Sequence, residues 1–149
     1  QGVAGDKFRL GPILEHGTLL FGRRTWEHFS TLWPTRDDPF SQAMNAATKA
    51  VATHREIGPD AWTNSRAIDK ALTTWLSDTL PATDVVVIGS GSVVEALADQ
   101  GLVDEYRLLI FPTTTGSGRR LFPTGHRLEL ASVEQVGPAA LCVLTPERA

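Results

Sequence analysis

The chain has 149 residues, the size of one domain, and is long enough to bury a hydrophobic core without disulfides or metals. Its formal net charge of −3 argues against a general nucleic-acid-binding protein, which usually carries a basic balance. The single cysteine, Cys142, excludes an internal disulfide, and no apolar run approaches the roughly 18 residues of a membrane span. We therefore expect one cytoplasmic domain over residues 1–149 that binds neither nucleic acid nor membrane.

The first part of the chain alternates predicted strands with predicted helices. Apolar residues at helical spacing or in short continuous runs, with proline at the ends, identify each element. In chain order these are a buried strand at 18–21, a helix from Thr25 to Pro34, a short helix in "FSQAMNAAT", a strand at 49–54, an extended piece around "AWTNS", and a helix that Asp69 caps and Pro81 ends.

The clearest strand is "DVVVIG" at 84–89, whose β-branched run is typical of a strand buried on both faces. Ser92 and Glu95 match a capping box at the start of the next helix, and Gly101 suits the position after its end. A strand at 104–112, a Gly-rich loop, the alternating "RLELASVEQV" and the final "AALCVLT" complete the chain. This order predicts one mixed sheet flanked by helices.

Two strand-to-helix junctions share the same pattern, "LLFG-RRT-WEHF" and "VVVIG-SGS-VVEAL". Unpaired N–H groups and a partial positive charge make a helix N-terminus suitable for phosphate, and glycine allows phosphate to approach the backbone. Either turn alone could be a simple connector, and the second lacks the G-x-G-x-x-G dinucleotide pattern. Together in one small domain they favour an extended ligand with several phosphates.

The segments "LLFGRRTWE" and "VVVIGSGSVVEAL" resemble the two cofactor-binding segments of the dihydrofolate reductase superfamily. The tail "GLVDEYRLLIFPTTTGSGRRLF" resembles the bacterial branch that is related to the reductase domain of riboflavin biosynthesis. The resemblance covers roughly residues 17–145. It implies a three-layer αβα sandwich with a mixed, mostly parallel central sheet and a C-terminal antiparallel hairpin. It also implies NADPH as the cofactor.

The resemblance assigns cofactor contacts to three segments. The first segment, Gly22, Arg23, Arg24 and Thr25, would bind the 2′-phosphate and pyrophosphate. The second segment, Thr53, His54 and Arg55, would lie beside the 2′-phosphate and adenine. The third segment would bind the pyrophosphate and approach the nicotinamide, and it consists of Ile88, Gly89, Ser90, Gly91, Ser92 and Val93. The paired arginines favour NADPH over NADH, because arginine binds the additional phosphate strongly.

The resemblance also has a gap. Members of this superfamily usually begin with a central strand that ends in an aspartate-glycine turn, whereas this sequence begins at "QGVAGD". We therefore expect the first strand of the family to be missing from the sequence.

The main functional hypothesis is an NADPH-dependent reductase that transfers a hydride to a small conjugated substrate, such as a pteridine, a pyrimidine or an imine. One alternative is the 5-amino-6-(5-phosphoribosylamino)uracil reductase of riboflavin biosynthesis, and another is a nucleotide-binding module without catalysis. The sequence identifies no catalytic residue. The resemblance and the apolar final strands, with Leu128, Leu130, Leu141 and Val143, predict a homodimer.

For the other charged and titratable residues, a structural explanation competes with a functional one. Asp104 and Glu105 are adjacent at a strand start, where neighbouring side chains face opposite sides of a sheet, so a catalytic pair is not expected. The pair "RR" at 119–120 fits an anion site, a solvated loop or a dimer contact equally. The four histidines have no metal-ligand spacing, so we expect no metal.

Overall fold

A computed structural model describes residues 4–58, 62–89, 91–122 and 125–147. The chain divides into two compact units, one ending at Val94 and the other beginning at Glu95. The first unit contains a parallel four-stranded sheet and the second an antiparallel three-stranded sheet. The predicted α/β class is confirmed, but parallel and antiparallel strands form separate sheets in place of one mixed sheet. The expected single domain stays a prediction.

The elements in chain order are α1 (Pro12–His16), β1 (Thr18–Gly22), α2 (Arg23–Leu32), a 3-10 turn (Trp33–Thr35), α3 (Pro39–Ala46), β2 (Thr48–Ala52), β3 (Ser65–Ala67), α4 (Leu72–Thr79), β4 (Val85–Gly89), α5 (Gly91–Asp99), β5 (Tyr106–Ile110), β6 (Leu128–Val136) and β7 (Ala139–Pro146). Two predicted helix caps are wrong. Ala71 precedes α4 in place of Asp69, and Ser92 is the second residue of α5. No helix in the described part of the chain could cross a bilayer.

The parallel sheet has the strand order β3-β2-β1-β4. β1 is buried along its whole length because it pairs on both sides, with β2 and with β4. β4 lies at the edge of this sheet, and all five of its residues are half-buried. The prediction that β4 is buried on both faces was wrong, because successive residues point to opposite faces and all of them are partly exposed.

Aromatic side chains fill the core of the first unit. Trp26 of α2 is buried, as its helical spacing predicted, and its indole Nε1 donates to Ser65 Oγ at 3.0 Å. Phe21 of β1 packs against Phe29 and Trp62, with ring centroids 5.9 and 5.6 Å away. These contacts fix α2 on the sheet, and so they also fix where its first turn lies.

Lys49 is a buried charge near the N-terminal end of β2, with a relative exposure of 1%. Its ammonium donates to the carbonyl oxygens of Asn45, Ala47 and Thr63, each at 2.8 Å, and lies 4.5 Å from the centroid of the Trp62 ring. All three N–H donors are therefore satisfied, as a buried ammonium requires. Lys49 joins the C-terminal end of α3 to the segment before β3.

The antiparallel sheet of the second unit has the order β5-β7-β6. Leu141 of β7 is buried, whereas Ile110, Leu130 and Val133 are more than half exposed. Their register places these three on one face of the sheet, because Ile110 faces Ala140 and Val133 faces Cys142 on the strand between them. The structure contains a single chain, so the homodimer stays a prediction.

We expect the free energy of unfolding to rise as the pH is raised through about 8 toward 10.5. Burial lowers the pKa of Lys49 from 10.5 to about 8, so over this interval the folded state releases a proton that the unfolded chain still holds. Stability then increases with pH. Urea unfolding across this range should show the rise in the wild type and in Lys70→Met, which removes an exposed lysine, but not in Lys49→Met. Equal slopes in all three proteins would contradict the assignment.

Candidate functional site: the carboxyl edge of the parallel sheet

The three predicted segments meet at one edge of the parallel sheet. Because β1 lies between β2 and β4 and runs parallel to both, the carboxyl ends of all three strands point the same way. The register aligns them closely, since Gly22 pairs with Ala52 and Phe21 pairs with Gly89. In open parallel sheets, ligands bind in crevices outside this edge.

Arg23 connects the start of α2 to the segment after β2. Its Nη1 donates to Thr53 Oγ1 at 3.0 Å, and its Nε donates to Glu27 Oε1 at 2.7 Å. A longer contact of 3.5 Å reaches the carbonyl oxygen of Glu56. The first and second predicted segments are therefore in direct contact, with the guanidinium group between them.

The hydroxyl of Thr53 is fixed in a definite orientation. Its oxygen accepts hydrogen bonds from Arg23 Nη1 at 3.0 Å and from the backbone N–H of Arg55 at 3.2 Å. A hydroxyl has two acceptor positions and one proton, so the proton points away from both donors. Thr53 can consequently donate to an anion that approaches Arg23.

Thr25 connects the start of α2 to the end of β4. A Cβ placed on Gly89 would lie 3.1 Å from Thr25 Oγ1 and 3.2 Å from its Cγ2, closer than most real contacts of this kind. The protein's own packing therefore disfavours a side chain at position 89. Gly22 precedes α2, and no side chain caps this helix, so the N–H groups of its first turn have no side-chain partner.

The third segment begins α5. Gly91, Ser92 and Val93 are the first three residues of this helix, so their N–H groups point out of its N-terminus. A Cβ on Gly91 would meet nothing within 4 Å, which leaves open space for a ligand at this backbone. Ser92 is exposed, whereas the Val93 side chain is buried and only its backbone is available. The predicted residue Ser90 lies outside the described residues.

The remaining predicted side chains differ in accessibility. Arg24, His54 and Arg55 are exposed, and Ile88 is half-buried against the aromatic core. Ile88 therefore contributes to packing, and the cofactor contact that the resemblance implied for it stays a prediction.

A cavity of about 550 Å³ opens beside Thr53 and His54. Asp69 and Lys70, from the loop between β3 and α4, also line it, and Lys70 Nζ lies 3.0 Å from Asp78 Oδ2. Sequence reasoning did not place these two residues at the site. It placed the extended piece around "AWTNS", whereas β3 begins at Ser65, and a three-residue strand gives too weak a pattern to position its following loop.

The second unit has its own, larger cavity of about 820 Å³. Asp104, Tyr106, His126 and Arg127 are among its lining residues, and burial raises the pKa of Tyr106. None of the predicted cofactor residues lines it. Glu105 Oε2 pairs with Arg107 Nε at 2.8 Å, and residues 119–120 are exposed in a loop. The described residues contain no histidine, cysteine or carboxylate cluster that could hold a metal ion.

The carboxyl edge could hold a ligand with several anionic groups. Two helix N-termini, the guanidinium of Arg23 and the oriented hydroxyl of Thr53 supply donors for several anionic oxygens, and Gly91 leaves room for close approach.

The family model for the RibD C-terminal domain matches residues 6–142. The chain belongs to the RibD C-terminal domain family. The resemblance to the riboflavin branch of the dihydrofolate reductase superfamily is therefore confirmed.

One curated relative is the "Uncharacterized protein YyaP" of Bacillus subtilis (strain 168). It is 27% identical over 113 residues, which are 70% of this chain and 58% of YyaP. The chain thus spans less than two thirds of that relative's length.

Solved structures show the same fold at low sequence identity. A Shewanella sp. PV-4 protein named for riboflavin biosynthesis has a TM-score of 0.73 and 18% identity over 94% of this chain and 80% of its own. Acinetobacter baumannii RibD has a TM-score of 0.67 and 16% identity over 99% of this chain and 52% of its own. A pyrimidine reductase-like protein of Corynebacterium diphtheriae has a TM-score of 0.62 and 12% identity, over 99% and 86% of the two chains.

The two glycines of the third segment should respond differently to alanine. We expect Gly89→Ala to lower the free energy of unfolding by about 1–3 kcal/mol, because its Cβ overpacks against Thr25. Gly91→Ala should cost nothing, since its Cβ enters open space and alanine favours the helix. Adding Thr25→Ala, which removes the two closest atoms, should reduce the effect of Gly89→Ala. Urea unfolding of the wild type, Gly89→Ala, Thr25→Ala and the double variant measures this coupling, and additive effects would disprove the contact.

Proposed function

We propose that this chain is the NADPH-binding part of a reductase of the riboflavin-pathway type, with a phosphoribosylamino-pyrimidine as substrate. Membership in the RibD C-terminal domain family and the pyrimidine reductase-like fold relative support this alternative over the broader hypothesis of an unassigned conjugated substrate. The observation that carries the proposal is the meeting of Arg23, Thr53 and two helix N-termini at one sheet edge.

The arrangement of donors favours a cofactor with a 2′-phosphate. Arg23 and Thr53 supply a positive charge and an oriented hydroxyl at the junction of β1 and β2. The neighbouring cavity beside Thr53 and His54 is large enough for part of a nucleoside. A 2′-phosphate beside Arg23 would gain a charge-assisted hydrogen bond that a ribose hydroxyl cannot make as strongly.

The first turn of α5 would bind the pyrophosphate through backbone N–H groups, and Gly91 would allow its oxygens to come close. Thr25, packed on Gly89, would hold the two helix starts at a fixed separation. When bound, the nicotinamide supplies the hydride, which adds to the carbon of a C=N bond while a proton adds to the nitrogen. The chain's contribution is to bind and orient the cofactor so that this transfer can occur.

We expect Arg23→Ala to weaken NADPH binding by about 10- to 150-fold, the equivalent of about 1.5–3 kcal/mol for a charge-assisted contact, and to leave NADH binding nearly unchanged. Isothermal titration with both cofactors measures the two affinities. Arg36→Ala is the matched control, since Arg36 stacks 5.5 Å from the centroid of the Trp33 ring and lies outside the site. An equal loss of affinity for both cofactors would show that Arg23 does not distinguish the 2′-phosphate from a ribose hydroxyl.

The reaction itself is tested with NADPH deuterated at C4 and 5-amino-6-(5-phosphoribosylamino)uracil. We expect the absorbance of the reduced nicotinamide to fall and one deuterium to appear in the ribitylamino product, as measured by mass spectrometry. Dihydropterins and simple imines serve as comparison substrates. Firm binding of NADPH without transfer to any of them would favour the nucleotide-binding module, and transfer to a dihydropterin alone would favour the broader reductase hypothesis.

A further inference from the structure

We propose that Glu27 is a positioning residue that holds the Arg23 guanidinium toward Thr53, and that it thereby sets the preference for a 2′-phosphorylated nucleotide. This inference rests on the proposed function. It assigns a role to a carboxylate for which the resemblance implied no cofactor contact.

The contacts of Arg23 define its direction at two atoms. Glu27 lies one helical turn further along α2 and accepts from Arg23 Nε at 2.7 Å. Thr53, on the other side, accepts from Nη1 at 3.0 Å. The Arg23 side chain is 26% exposed and that of Glu27 is 53% exposed. A long arginine side chain that would otherwise sample many rotamers is therefore held in one direction before any ligand binds.

The donors that remain suit a phosphate. A guanidinium has five N–H groups in a planar fork. Glu27 uses the Nε proton, and Thr53 uses one on Nη1. Among the described residues, no acceptor is bonded to Nη2 of Arg23, so its two protons stay available close to the hydroxyl of Thr53. Glu27 accordingly binds the Nε side of the guanidinium and leaves the Nη2 side open.

Glu27 has two opposing effects on the binding of an anion. Its negative charge partly neutralises Arg23 and repels an approaching anion, so Glu27 favours the 2′-phosphate only through the orientation that it gives to the Arg23 guanidinium. An i,i+4 pair on a helix surface contributes little to stability. Removal of Glu27 should therefore leave the fold intact and change only the orientation of Arg23.

The test compares Glu27→Ala with Glu27→Gln. Titrations measure the affinities for NADPH and NADH, and for the smaller probes 2′,5′-ADP and 5′-AMP, which lack the nicotinamide. Ordering one long side chain costs about 2- to 12-fold in affinity, so we expect Glu27→Ala to reduce the NADPH-to-NADH affinity ratio by about that factor. Glu27→Gln should keep the ratio of the wild type, because its amide oxygen can still accept from Nε. Thr31→Ala, on the same exposed stretch of α2, is the control.

A double-mutant comparison separates the effect of Glu27 on the orientation of Arg23 from the effect of its own negative charge. In an Arg23→Ala background, Glu27→Ala should have no further effect on the ratio. Equal losses in Glu27→Ala and Glu27→Gln, a higher NADPH affinity in both, or an unchanged ratio in Glu27→Ala would each overturn the inference while the proposed function stands. If the wild type binds neither NADPH nor 2′,5′-ADP, the proposed function and this inference both fail.

Discussion

The parallel pairing of β1 with both β2 and β4 is the constraint on which the candidate site depends. Parallel strands place their carboxyl ends at one edge, and the register Gly22 to Ala52 and Phe21 to Gly89 removes any large offset between the three ends. A slip of one residue would turn every side chain of a strand to the other face. The burial of β1 on both sides opposes such a slip and so keeps the three turns together.

The start of α2 lies at the centre of this edge, and it is held from two directions. Arg23 contacts the turn after β2, and Thr25 packs on the end of β4. Neither contact would be made if the helix rotated, because adjacent helical residues face different directions. The buried Trp26 and the aromatic contacts of Phe21 and Phe29 fix that rotation. Core packing thus determines the geometry of a polar site at the surface.

The positively charged side chains at the two ends of the sheet have different surroundings. Near the N-terminal end of β2, Lys49 is fully enclosed and its three donors all bind carbonyl oxygens, so it stabilises local structure and is not free to bind a ligand. At the carboxyl end, Arg23 is only partly satisfied by protein groups and stays accessible. The buried cation serves the fold, and the partly exposed one is suited to an anion.

Local sequence patterns determined much of this protein. Continuous apolar runs identified β1 and β4, helical spacing identified α2, and the two glycine-ended turns identified the segments that meet at the site, because each of these signals depends on neighbouring residues only. Tertiary structure decided the rest. The edge position of β4, the cavity that Thr53 and Lys70 both line and the contact of Arg23 with Thr53 depend on strand pairing between residues far apart in the chain, which no local pattern encodes.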